Sequence, residues 1–111
     1  MAKPRIREII KYLNFLLKKR GIQPEKIILF GSAAEGKFGP DSDIDLLVIS
    51  PAFRRKGIFK RAKMLGDLEW ELIGKYPFPF DIITMSPQDY EKGSSLIARF
   101  AEKGKVFKEL D

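Results

Sequence analysis

Two short apolar runs, Lys26-Ile-Ile-Leu-Phe30 and Ile44-Asp-Leu-Leu-Val-Ile49, constrain this chain more than any other feature. Each is continuous, rich in branched aliphatics and bounded by turn residues, which predicts buried strands at about 26–30 and 43–50. Joined to them are the fifteen residues from Gly31 to Asp45, GSAAEGKFGPDSDID. On the second strand Asp43 and Asp45 stand at i and i+2, so their carboxylates leave one face. Two like charges at the edge of a core are costly unless a cation holds them. The chain has no Cys and no His, and oxygen-only donors suit a hard ion, Mg²⁺ first. Gly31-Ser32, ahead of a short helix expected near 32–36, offers free backbone N–H groups to a phosphate. The stretch reads as a site for metal-bound phosphate.

The remaining segments build around it. An apolar stripe at Ile6, Ile9, Ile10, Leu13, Leu16 and Leu17 predicts a helix over 4–20, with Pro4 at its first position and Gly21 at its end. A second long helix is expected over 58–76, with Phe59, Ala62, Leu65, Leu68, Leu72, Ile73 and Tyr76 inward. Trp70 falls off that stripe and reads as a partly covered surface aromatic. Phe80-Asp-Ile-Ile-Thr-Met85 is the third strand. Ser86-Pro87-Gln88-Asp89 has the pattern of a helix start, with Ser86 as N-cap. A last helix is expected to run to Lys103, Gly104 to cap it, and 105–108 to form a small edge strand. The order is αβαβαβα in one domain spanning 1–111, a small mixed sheet flanked by helices of the α/β (α+β) class.

At 111 residues there is room for one core and not two. The absence of Cys removes disulfides, thiolate metal sites and a cysteine nucleophile together. The absence of His leaves proton transfer to carboxylates, lysine or water. The apolar runs are too short for a membrane span and no signal segment is visible, so a cytoplasmic protein is expected. Net charge is +6 with a pI of about 9.6, which favours polyanions: nucleotides, an acidic partner or, on basic residues alone, nucleic acid. Arg54, Arg55, Lys56, Lys60, Arg61 and Lys63 are expected to form a basic surface remote from the acidic stretch.

Connection lengths then place a third acid. A helical crossover between strands two and three suits parallel neighbours, and their first residues, with Asp43 and Asp81, would lie side by side. An antiparallel pairing of strands one and two brings Gly31 and Ser32 to the same end. Asp81 interrupts a row it shares with Ile83 and Met85. One rival fails: Gly31-Ser-Ala-Ala-Glu-Gly36-Lys37 matches the G-x-x-x-x-G-K core of a P-loop. The next residue is Phe38 where Ser or Thr is needed, and Gly39-Pro40 prevents the required helix. Lys37 is a solvated loop lysine within reach of a phosphate.

Gly31-Ser32, Gly36, Pro40-Asp-Ser-Asp-Ile-Asp-Leu-Leu-Val48 and Asp81 resemble the signature of the polymerase-β-like nucleotidyltransferases, and the size resembles their smallest branch, the minimal nucleotidyltransferases. The resemblance implies a magnesium-bound nucleoside triphosphate, ATP first, and nucleotidyl transfer to a hydroxyl. It implies Gly31 and Ser32 at the triphosphate, with Gly36, Lys37 and Ser42 near the nucleotide. Asp43, Asp45 and Asp81 would be the catalytic and metal-holding acids, serving two ions. Many relatives follow the Gly-Ser pair with arginines, in a pattern like G-S-R-A-R-G; Ala33 and Glu35 stand in those places here, which thins the phosphate clamp. Larger relatives add a helical domain that grips base and acceptor, so a homodimer or a second protein is expected to complete the cleft. Minimal nucleotidyltransferases resemble antitoxins paired with small helical HEPN-type ribonucleases. They silence these by nucleotidylating a tyrosine or by binding alone, which leaves a non-catalytic neutralising partner as the alternative.

Overall fold

The computed structural model describes residues 4–39, 41–93 and 96–108. In chain order the elements are α1 (Ile6–Lys19), β1 (Lys26–Phe30), β2 (Ile44–Ile49), a 3₁₀ turn (Pro51–Phe53), α2 (Ile58–Leu65), α3 (Leu68–Lys75), β3 (Phe80–Met85), α4 (Pro87–Lys92), α5 (Leu96–Ala101) and β4 (Lys105–Phe107). The sheet order is β3-β2-β1-β4, with β1 antiparallel to both β2 and β4 and β2 parallel to β3. This is the mixed sheet the connection lengths predict: a helical crossover joins the parallel pair, and a loop joins the antiparallel one.

Period-two alternation divides the sheet into two faces. Ile27 and Leu29 of β1 and Ile44, Leu46 and Val48 of β2 join one core with the inward stripe of α1 and with Leu68 and Leu72 of α3. Ile28, Phe30, Leu47, Ile49 and Met85 join the other, under Ala98 and Ala101 of α5. The stripe of α1 behaves as its spacing predicts, with Ile9, Ile10, Leu13, Leu16 and Leu17 all buried. Its first helical residue is Ile6, two positions after Pro4.

Several expectations need correction. The segment 32–36 is a run of turns rather than a helix, so the order is not αβαβαβα. The amides of Ala34 and Glu35 turn back to the Gly31 carbonyl, which tightens the chain too early for a regular helix. The long helix expected over 58–76 is two eight-residue helices broken at Gly66, whose φ of +56° an ordinary side chain resists. Arg20, just past the end of α1, stabilises that break. Its guanidinium donates to the Leu65 carbonyl at 2.8 Å, to the Leu16 carbonyl at 2.9 Å, and to Asp67 and Glu71 at 2.8 Å each. The break rotates α2 out of the core. Leu68 and Leu72 are buried, but Phe59 is 89% exposed and no residue of α2 is buried. Trp70 is 77% exposed, more open than expected.

The C-terminal third follows its local signals. The Ser86 hydroxyl accepts from the Asp89 amide, capping α4, and Gly93 ends that helix in the left-handed conformation. The last helix stops at Ala101, and Gly104 turns the chain into the edge strand β4. No helix among the described residues is long and apolar enough to cross a membrane.

Candidate active site

The acids meet where β2 and β3 begin. In the parallel register Asp45 lies beside Asp81, and in the antiparallel one Phe30 lies beside Asp45. Asp43, expected opposite Asp81, instead precedes the first residue of β2 and is exposed. The register is set by apolar pairing further along, Leu47 with Ile83 and Ile49 with Met85. A shift by one residue would turn both rows to the wrong face. Asp45 and Asp81 therefore open on the α5 side of the sheet, in line with the Leu47 and Met85 core.

Gly31 closes the near wall. Its φ is +74°, and a Cβ there would collide with the Asp45 carboxylate. Glycine is thus required both by the turn and by the approach of the acid. The amides of Ala34, Glu35, Gly36 and Lys37 are taken by carbonyls of Gly31, Ala33 and Ser32, which leaves the leading amides of Ser32 and Ala33 outside that set. Ala33 packs against the α1 core, while Glu35 lines the acidic cleft.

Burial, followed by the negative charges of Asp81 and Asp43, pushes the Asp45 carboxyl above the ordinary carboxylate value. Three carboxylates that repel one another are a donor set whose repulsion a hard cation relieves, and oxygen is the donor such an ion takes. The residues present fit Mg²⁺ in chemistry. Among the described residues, no three acids are grouped so as to hold a metal ion.

A cleft of about 1170 Å³ opens in front of Asp45 and Asp81, and Asp43 is not among its lining residues. Gly31, Asp45 and Asp81 line one side; Lys92 at the end of α4, and Arg99, Phe100 and Lys103 on and after α5, line the other. None of these three cations is among the site residues expected from the sequence. The signal lay in the β1–β4 pairing, which folds α5 back over the sheet, and nothing local separates Arg99 from other surface arginines. Ser32, Gly36, Lys37 and Ser42 are not among the lining residues. Gly36 and Lys37 are exposed on the far part of the turn, and the Ser42 hydroxyl accepts from the Gly39 amide at 3.1 Å, holding its own loop. Pro40, part of the sequence signature, lies outside the described residues.

Comparison with known proteins places the chain as a whole. The profile of the nucleotidyltransferase domain family matches residues 6–107. A Methanocaldococcus jannaschii protein provisionally named a protein adenylyltransferase is 37% identical over 79 residues, 71% of this chain and 53% of the relative. The match thus spans about half the length of that protein. A crystal structure from Sulfolobus solfataricus, provisionally described as a nucleotidyltransferase, superposes with a TM-score of 0.63 over 95% of this chain and 82% of its own, at 20% identity. That likeness speaks for the fold. With the profile spanning almost the whole chain, from the first turn of α1 to the end of β4, this protein belongs to the nucleotidyltransferase domain family.

Proposed function

We propose that this protein transfers a nucleotidyl group from a magnesium-bound nucleoside triphosphate, ATP first, to a hydroxyl acceptor on a protein. The observation that carries this reading is the pairing of Asp45 with Asp81 beside the Gly31 turn, at the mouth of one cleft. The name of the M. jannaschii relative supports adenylyl transfer and a protein acceptor. Asp43, Asp45 and Asp81 would hold the ions, which when bound neutralise the triphosphate and acidify the acceptor hydroxyl. Gly31 and Ser32 bind the triphosphate through backbone amides. The acceptor oxygen forms a bond to the α-phosphorus, the bond from that phosphorus to the α,β-bridging oxygen breaks, and pyrophosphate leaves. The hydroxyl proton passes to Asp81 or to water, since the chain has no histidine to take it.

In this reading the acceptor is a tyrosine of a HEPN-type partner, the setting is the cytoplasm, and the partner or a second copy completes the cleft. Glu35 at the cleft wall favours a second reading, a neutralising partner without catalysis, because it sets a negative charge where phosphate would lie. ATP labelled at the α-phosphate, compared with ATP labelled at the γ-phosphate, separates them. Retention of α-label on an acceptor, with γ-label released, supports nucleotidyl transfer. Retention of neither, with intact Mg·ATP binding or none, favours the silent binder.

A further inference from the structure

The break at Gly66 leaves α2 with two large apolar side chains in solvent, Ile58 at 79% and Phe59 at 89% exposure. Beside Ile58 a groove of about 440 Å³ runs between α2 and β3, lined by Ile58, Ala62 and Leu65 on one side and Ile82 and Ile83 on the other. β3 is an edge strand. The carbonyls of Pro79 and Met85 accept from Ile44 and Ser50 on the β2 side, so the even-numbered residues between them present their backbone outward. Arg61 covers the upper part of that edge, donating to the Thr84 carbonyl at 3.0 Å while also holding the Phe53 and Lys56 carbonyls. A guanidinium seated on the edge obstructs addition of another strand, as edge charges do generally. Arg61, expected among the free surface cations, is thus a structural tie.

The segment that supplies the α2 wall of the groove carries charge of one sign. From Pro51 to Met64 the chain carries Arg54, Arg55, Lys56, Lys60, Arg61 and Lys63 and no acid. A two-fold self-association would set the same patch against itself, cation facing cation, which is repulsive. Nucleic acid would meet the charge, but base stacking wants several aromatic faces, and the groove itself is aliphatic. Apolar side chains with flanking carboxylates match both features at once.

We infer that the α2–β3 groove docks an acidic amphipathic helix of a partner protein, its apolar stripe on Ile58, Phe59 and the groove and its carboxylates on Arg54, Arg55, Lys60 and Lys63. The groove shares Ile83 with the acidic cleft, but Asp43, Asp45 and Asp81 do not line it, so the inference stands whether or not the site transfers nucleotides. Fluorescence anisotropy tests it with the full chain and a labelled helical peptide built from Leu and Glu in an amphipathic pattern. The comparison probes are the same peptide with Lys for Glu, a single-stranded RNA of similar length, and phosphatidylglycerol vesicles. The Leu/Glu peptide should bind about tenfold or more tightly than each of these. Ile58→Ser with Phe59→Ser should weaken it about tenfold or more, as loss of central apolar anchors does. Arg54→Glu with Arg55→Glu should weaken it as well, through charge alone. Arg54, Arg55, Ile58 and Phe59 are all exposed and none lines the acidic cleft, so circular dichroism and Mg·ATP affinity should be unchanged in these variants. Tighter binding of RNA or vesicles, self-association blocked by the same serine substitutions, or a peptide affinity indifferent to both double variants would overturn the inference.

Discussion

The two faces of one sheet are finished differently. Among the described residues, the face under α1 and α3 gathers fourteen buried apolar residues and the face under α5 seven. β1 and β2 contribute almost equally to both. The difference comes from what covers them: a fourteen-residue amphipathic helix with α3 beside it on one side, six residues of α5 on the other. A short cover leaves the starts of β2 and β3 open, and those are the positions at which Asp45 and Asp81 replace apolar residues. The closed face supplies stability, and the half-covered face can afford two repelling carboxylates next to solvent.

The contrast can be broken from the closed side first. Leu46→Ala removes a fully buried side chain between α1 and the sheet. It should cost about 2–5 kcal/mol in chemical denaturation, the largest stability loss of this group. Gly31→Ala acts on the open face, forcing a non-glycine residue to positive φ and setting a methyl group on the Asp45 carboxylate. A loss of about 1–3 kcal/mol is expected, together with loss of Mg·ATP binding by calorimetry; unchanged binding would remove the turn from the site.

Asp45→Asn sharpens the same contrast with the opposite sign. The folded carboxyl titrates above its unfolded value, with burial the first cause. Between those two values the native state holds the extra proton, so its stability falls as pH rises through the window. In a chelator at neutral pH, Asp45→Asn should therefore melt above wild type, and the gap should close as pH falls towards the ordinary carboxylate value. Adding Mg²⁺ should raise the melting temperature of wild type and not of the variant. The smallest effect is expected at Phe100→Ala on the outer cleft wall, 55% exposed, within about 0.5 kcal/mol of wild type in denaturation.

The strands were legible because each is a short aliphatic run between Gly, Pro or Ser punctuation, and the observed bounds of β1 and β3 coincide with those runs. The α4 start was legible because a serine hydroxyl three residues from an amide is a local device. What escaped depends on distant partners. Apolar spacing passed through Gly66 without a gap, and only Arg20, 45 residues away from Leu65, shows why the helix turns there. Register also escaped: Asp43 and Asp45 alternate on one row, and the pairing of Leu47 with Ile83 decides that Asp45 faces Asp81. The cleft cations Lys92, Arg99 and Lys103 became visible once β4 had carried α5 back across the sheet.

The central claim is that the open face performs chemistry, and Asp81 tests it most directly. Asp81 lies beside Asp45 yet is the acid assigned to the acceptor, so its contribution should be made mainly in the transition state. The measurement is the pair of Mg·ATP affinity and single-turnover transfer of α-labelled nucleotide to the acceptor, wild type against Asp81→Asn. The account predicts an affinity within a few-fold of wild type and a transfer rate lower by about a hundred- to a thousandfold, roughly 3–4 kcal/mol of lost stabilisation. Transfer by Asp81→Asn at the wild-type rate, or no transfer by wild type to any protein, RNA or small-molecule acceptor, would contradict it.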